Sequence, residues 1–148
     1  MTTAAFIDTN VILYSVTTSG EPEEIEKKWM ARSLIERKNF GLSVQVLQEF
    51  WVNATGKFKE PLPKDEAEET IGFLEQFPIV HNTPKLFREA RRLQSRFQLS
   101  FWDANIVAAA QELKVHTLYS EDLNDGQDYD GVRVVNPFKQ PRTVNPDP

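Results

Sequence analysis

Short apolar runs alternate with longer amphipathic ones along this chain, and that alternation predicts strands and helices in turn. Ala4 to Asp8 reads as a short buried strand, continued by a helix from Asn10 to Val16. Glu21 to Lys38 predicts a longer amphipathic helix whose apolar members are Ile25, Trp29, Leu34 and Ile35. Phe40 to Ser43 is a second strand, and Val44 to about Lys57 a helix that ends near Gly56. A helix over Lys64 to Phe77 has Pro63 at its entrance. Its first turn carries Asp65 and Glu66, where the helix dipole favours acids. Pro78 to His81 is a third strand. Pro84 to about Phe97 is a helix with Leu86, Ala90, Leu93 and Phe97 on one face. Trp102 to Lys114 is nearly all apolar, which predicts a helix buried on most sides. His116 to Tyr119 and Val132 to Val135 supply a fourth and a fifth strand. Strands separated by helices predict an α/β fold, a parallel sheet covered by helices on both faces.

Such a sheet forms sites outside the carboxyl ends of its strands. Asp8 and Asp122 fall at predicted strand ends, and Glu49 and Asp103 fall early in helices that line the same edge. Each acid has a plain structural explanation. Asp8, with Thr9 and Asn10, can cap the helix that follows. Glu49 lies between Val46 and Val52, where an acid at the border of an apolar stripe can reach water. Ser100 and Asp103 fit a capping box. Asp122 opens an acidic loop, Glu121 to Asp130, in which Asp128 and Asp130 read as solvated and Asp125 is a possible substitute for Asp122. No register of that loop matches a calcium-binding loop.

Together the four acids are harder to explain. Two unit charges about 4 Å apart repel by about 4 kcal/mol at an effective dielectric near 20. Convergent carboxylates therefore need protons or a cation. An all-oxygen set suits Mg²⁺ or Mn²⁺. Zinc fits less well, because His81 and His116 have no ligand spacing and read as structural.

Composition narrows the classes further. A length of 148 residues suits one domain, taken as residues 1–138, followed by a proline-rich tail at 139–148. No run approaches the roughly 18 apolar residues of a membrane span. No signal peptide is legible, and the absence of cysteine fits a cytoplasmic setting. The net charge is −5, so a nucleic-acid substrate would require a local basic patch or a bound metal. Lys85, Arg88, Arg92 and Arg96 recur at helical spacing, with Arg91 beside them, and form a candidate phosphate-tracking face. The same face also reads as a solvated surface, or as a dock for an acidic partner segment.

Four segments carry a resemblance. Phe6-Ile7-Asp8-Thr9-Asn10-Val11, Leu42-Ser43 leading to Glu49, Ser100-Phe101-Trp102-Asp103-Ala104 and Leu118-Tyr119-Ser120-Glu121-Asp122-Leu123 resemble, in order, the acidic motifs of PIN domains, above all the VapC-type toxin ribonucleases. The resemblance implies a three-layer α/β/α sandwich with a mainly parallel sheet of four to five strands. It implies a Mg²⁺- or Mn²⁺-dependent endoribonuclease, homodimeric and held by a cognate antitoxin. Asp8 and Asp103 would be the main metal ligands, Asp122 a further one, and Glu49 the holder of a metal-bound water or second ion. Thr9, Asn10 and Ser120 would orient the acids. The helices Glu21 to Lys38 and Lys64 to Phe77, with Trp29 and Phe73, are the expected dimer face. The alternatives are a PIN-like nuclease in RNA processing or DNA repair, and a catalytically inactive PIN-like binding module.

Overall fold

A computed structural model describes residues 2–139. The proline-rich tail expected at 139–148 therefore lies, apart from Lys139, outside the described residues. The elements run β1 (Ala5–Ile7), α1 (Thr9–Ser15), α2 (Pro22–Ile35), β2 (Phe40–Ser43), α3 (Val44–Val52), α4 (Lys64–Leu74) and β3 (Ile79–Val80). They continue with α5 (Pro84–Phe97), α6 (Phe101–Leu113), β4 (Thr117–Tyr119), β5 (Asp128–Tyr129) and β6 (Val132–Val135). The sheet order is β3-β2-β1-β4-β6-β5, with every pairing parallel except β5 on β6.

That order explains both the layers and the location of a site. From β1 the chain steps outward to β2 and β3, then returns past β1 to place β4 on its other side. Right-handed crossovers in opposite directions put their helices on opposite faces. Accordingly α1 packs on α2 and α3, while α5 packs on α6 and α6 lies against β1, β2, β3, β4 and β6. The reversal between β1 and β4 opens a crevice at their carboxyl ends.

The helix expected to be buried is so: Ala104 to Ala110 are all buried, and the run of alanines lets α6 approach the sheet closely. Gly41 in β2 is part of that approach, since a Cβ there would meet Leu113 Cδ2 at 2.6 Å. In α2 the inward residues are Ala31 and Leu34, whereas Ile25 and Trp29 face outward, so two of its four expected apolar members lie outside the core. Phe73 is half-buried beside Phe77, which stacks on Phe40 at 4.3 Å, so it offers less free surface than the dimer expectation assumed.

Two local features depart from the sequence expectation. The sheet has six strands, because β5 forms a hairpin with β6 inside the stretch read as an acidic loop. Its turn is Asp130-Gly131, at φ 52° and 102°, and Asp-Gly is the pair that supplies two positive-φ residues to a tight hairpin. Tyr129, buried in β5, packs edge-on to Phe97 at 5.0 Å and closes the end of the core. The second feature follows α3, where Asn53–Lys57 continue as a π-helical turn. Its Phe58 N–H donates to Asn53 C=O at 3.0 Å, five residues back.

Candidate active site

Asp8 leaves β1 as the N-cap of α1, so the capping explanation is correct as far as it goes. Its Oδ1 accepts from Thr9 N–H at 2.7 Å. Its other oxygen faces the end of β4, where the buried Ser120 hydroxyl donates to Oδ2 at 2.7 Å. Asn10 ties the two strand ends together. Its amide nitrogen lies 3.3 Å from Asp8 Oδ2, 3.4 Å from Ser120 Oγ and 3.2 Å from Asp122 Oδ2. Its oxygen accepts from Glu121 N–H at 3.0 Å. Thr9 reaches the third element: its hydroxyl donates to Glu49 Oε1 at 2.6 Å. Asp8, Thr9, Asn10, Glu49, Ser120 and Asp122 thus form one hydrogen-bonded set at the crevice between β1 and β4.

Asp103 approaches from α6. Ser100 Oγ accepts its N–H at 3.1 Å and starts the helix, so capping occupies the backbone amide. The α6 segment that carries Asp103 is joined to the rest through Gln45, a buried residue of α3 that sequence reasoning missed. Gln45 Nε2 donates to Glu49 Oε2 at 3.1 Å and lies 3.3 Å from Trp102 C=O, while its Oε1 accepts from Asn105 Nδ2 at 2.7 Å. Gln45 stands one helical turn before Glu49, and Asn105 stands inside the alanine run. Polar side chains at such positions were the available signal.

The acids perturb one another. Burial is the main cause of a pKa of about 7 at Asp8, and the charges of Asp122 and Glu49 add to it against the bonds from Ser120 and Thr9. Asp103 is also raised, first by burial, with Ser100 opposing and Asp122 and Glu49 adding. Asp122 and Glu49 thus act on both of the other acids.

Asp125 is turned elsewhere, accepting from Asn136 N–H at 2.8 Å and anchoring its loop to the end of β6. His81 and His116 are exposed, and His116 Nδ1 lies 3.1 Å from Gly131 C=O, away from the acids.

A cleft of about 540 Å³ opens over the set and is lined by Thr9, Asn10, Gln48, Glu49, Trp102 and Asp122 among others. Its cation is Lys57, carried there by the π-helical turn and also missed by the sequence reading. The expected basic face of α5 is only half available. Arg92 pairs with Glu89 at 2.9 Å and with Asp130 at 3.5 Å, and Arg96 pairs with Asp130 at 3.0 Å. Asp130, read as a solvated loop acid, instead fastens the β5–β6 hairpin to α5. Lys85 and Arg88 are exposed on the same helix.

The donor set is all oxygen, and it includes a buried carboxylate that ionises at a cost unless a cation joins it. These residues fit a hard divalent ion. Among the described residues, no three His, Cys, Asp or Glu side chains are gathered tightly enough to enclose an ion directly.

This architecture is that of a PIN domain. The PIN domain family model matches residues 5–125, and the chain belongs to that family. PIN nucleases generally use divalent metal. No curated protein matches the chain. Solved structures do. A toxin–antitoxin complex from Klebsiella pneumoniae is similar at TM-score 0.63 and 20% identity, over 90% of this chain and 98% of that one. Mycobacterium tuberculosis VapC20, a sarcin-ricin loop cleaving toxin, is similar at TM-score 0.62 and 20% identity, over 80% and 90%. DNA-bound VapBC from Salmonella typhimurium is similar at TM-score 0.61 and 14% identity, over 90% and 97%.

Proposed function

We propose that this protein is a metal-dependent endoribonuclease and the toxin of a toxin–antitoxin module. The observation that carries the reading is the hydrogen-bonded set of Asp8, Thr9, Asn10, Glu49, Ser120 and Asp122 at the β1–β4 crevice, with Gln45 tying Glu49 to the α6 turn that carries Asp103 and the charges of Asp122 and Glu49 acting on Asp103. Family membership and structural likeness to toxins of such modules support the biological role.

Asp8 and Asp103 would hold the ion, Mg²⁺ or alternatively Mn²⁺, with Asp122 directly or through water. Such an ion lowers the pKa of bound water and shields charge that develops on phosphoryl oxygens. The chain's own residues do the rest. Thr9 and Gln45 grip one oxygen each of Glu49, which fixes the carboxylate that orients and accepts a proton from the attacking water. Asn10 and Ser120 hold Asp8 and Asp122 at a set spacing against their repulsion. Lys57 offers the phosphate its first cation in the cleft, and Lys85 and Arg88, with a share of Arg92 and Arg96, extend the track.

In this reading the substrate is RNA, and the protein works as a homodimer controlled by an antitoxin in the cytoplasm. The outward Trp29 of α2, 53% exposed, is the apolar anchor for a dimer face. No described helix is long and apolar enough to cross a membrane. The test is cleavage of end-labelled structured RNAs with Mg²⁺, Mn²⁺ or chelator. Attack by water predicts linear phosphomonoester ends, with no 2′,3′-cyclic phosphate formed. Cyclic phosphate ends, or cleavage that persists in chelator, would refute the mechanism.

A further inference from the structure

A second cleft, of about 370 Å³, adjoins the carboxylate cleft and shares Gln45, Gln48 and Trp102 with it. Its volume falls in the range of small-molecule pockets, about 300–1,000 Å³. Its wall is aromatic. Phe87 and Phe101 meet edge-on at 5.7 Å, and Phe101 and Trp102 at 5.1 Å. Phe87 is 51% exposed and Trp102 62%, a large exposure for rings of this size. The rim carries the exposed side-chain amides of Gln48 and Asn82, each able to donate and accept.

The surroundings identify the occupant. Arg91 lies over the Phe87 ring at 5.3 Å, and Lys85 and Arg88 are exposed on the same helix. Aromatic faces beside cations, in a groove continuous with a phosphodiester site, match how single-stranded nucleic acid is held. A second copy seated symmetrically on this face would bring Lys85, Arg88 and Arg91 against their own counterparts.

We propose that this second cleft is a nucleobase subsite: a base next to the scissile phosphate stacks on the Phe87 and Trp102 rings while Gln48 and Asn82 meet its edge. The inference rests on the ribonuclease reading and extends it, since it places sequence selection beside the acids rather than on the α5 arginines.

The experiment maps the cut in one RNA, then measures kcat/KM on versions carrying a single abasic nucleotide at each position near the cut. The wild type should lose about tenfold at one position within two nucleotides of the cut. In Trp102→Ala or Phe87→Ala that penalty should vanish, because the stacking partner is already gone, while the salt dependence of binding stays as in the wild type. Gln48→Ala, an exposed change that spares the fold, should alter the preference among bases at that position. Should either aromatic variant fail to fold, the abasic scan of the wild type and the Gln48→Ala preference still decide. A wild type that cleaves but ignores every abasic position overturns the inference and leaves the ribonuclease reading intact. So does an aromatic variant that keeps the full abasic penalty, including one that dissociates on sedimentation, which would assign the face to a second copy. Absence of cleavage in every metal overturns the ribonuclease reading and this inference with it.

Discussion

Asp8→Asn is expected to stabilise the metal-free protein at neutral and alkaline pH, although it removes a central acid. The Asp8 pKa rises from 3.8 to about 7 in the fold, chiefly through burial. Below pH 3.8 the carboxyl is protonated in both folded and unfolded chains. Between 3.8 and 7 the folded chain holds a proton that the unfolded chain has released, so stability falls as pH rises. At about 1.36 kcal/mol per pH unit, the gap between 3.8 and about 7 amounts to roughly 4 kcal/mol. An asparagine carries no charge to desolvate. It forfeits part of the bonding with Ser120 and Asn10, a cost of about 1 kcal/mol. In chelator at pH 8 the variant should therefore be more stable by about 3 kcal/mol. From pH 5 to 7 the wild type should lose about 2 kcal/mol that the variant does not, since the folded carboxyl is already half ionised at pH 7. Urea denaturation of both proteins at pH 5, 7 and 8 reads this directly. Saturating Mg²⁺ should return stability to the wild type alone, because an ion that binds only the folded chain shifts the equilibrium toward it. A variant less stable than the wild type at pH 8, by a margin that does not change with pH, would refute the argument that Asp8 is a destabilising buried acid.

Three further outcomes follow from the same site. The rate of RNA cleavage should rise with pH through a midpoint of about 7 at low metal, and that midpoint should move to lower pH as metal is added, because ion and proton compete for Asp8; a midpoint indifferent to metal would contradict this. Thr9→Val breaks the 2.6 Å bond to Glu49 and should lower kcat about tenfold with little change in melting temperature; an equal loss of stability would mean that Thr9 serves the fold. Asp130→Asn releases Arg96, and leaves Arg92 on Glu89 alone, while the side chain still tolerates the left-handed turn, so RNA affinity and its salt slope should rise. Stability should change by less than about 1 kcal/mol, because these pairs are exposed. Unchanged affinity in Asp130→Asn would remove Arg96 from the phosphate track.

Much of the fold was legible because its signals are periodic or punctuated. The boundaries of β2 and α5 match their expected ranges, since Ser43 and Thr83 cap the helices that follow. The β5–β6 hairpin was missed although Asp130-Gly131 announced it, because the acids around it drew the reading toward a solvated loop. Within α2 the pattern misplaced Trp29 and Ile25, where exposure is set by tertiary packing rather than by spacing. For the site, the four acids were visible because a carboxylate in an apolar run is conspicuous. Gln45 and Lys57 were not, since an amide or a lysine on a helix is ordinary until the fold aims it. The sharing of Asp130 between Arg92 and Arg96 joins residues far apart in the chain, and no local pattern encodes that.

The central claim is that one cluster of acids, acting through a divalent ion, cuts RNA. Its most direct measurement is the cleavage rate of a single RNA by the wild type and by Asp8→Asn, Glu49→Gln, Asp103→Asn and Asp122→Asn, in Mg²⁺, in Mn²⁺ and in chelator. The wild type should cleave in metal alone, with near-complete loss in Asp8→Asn and Asp103→Asn and clear loss in the other two while all four variants remain folded. Wild-type rates in chelator equal to those in metal, or full activity in Asp8→Asn, would contradict that claim.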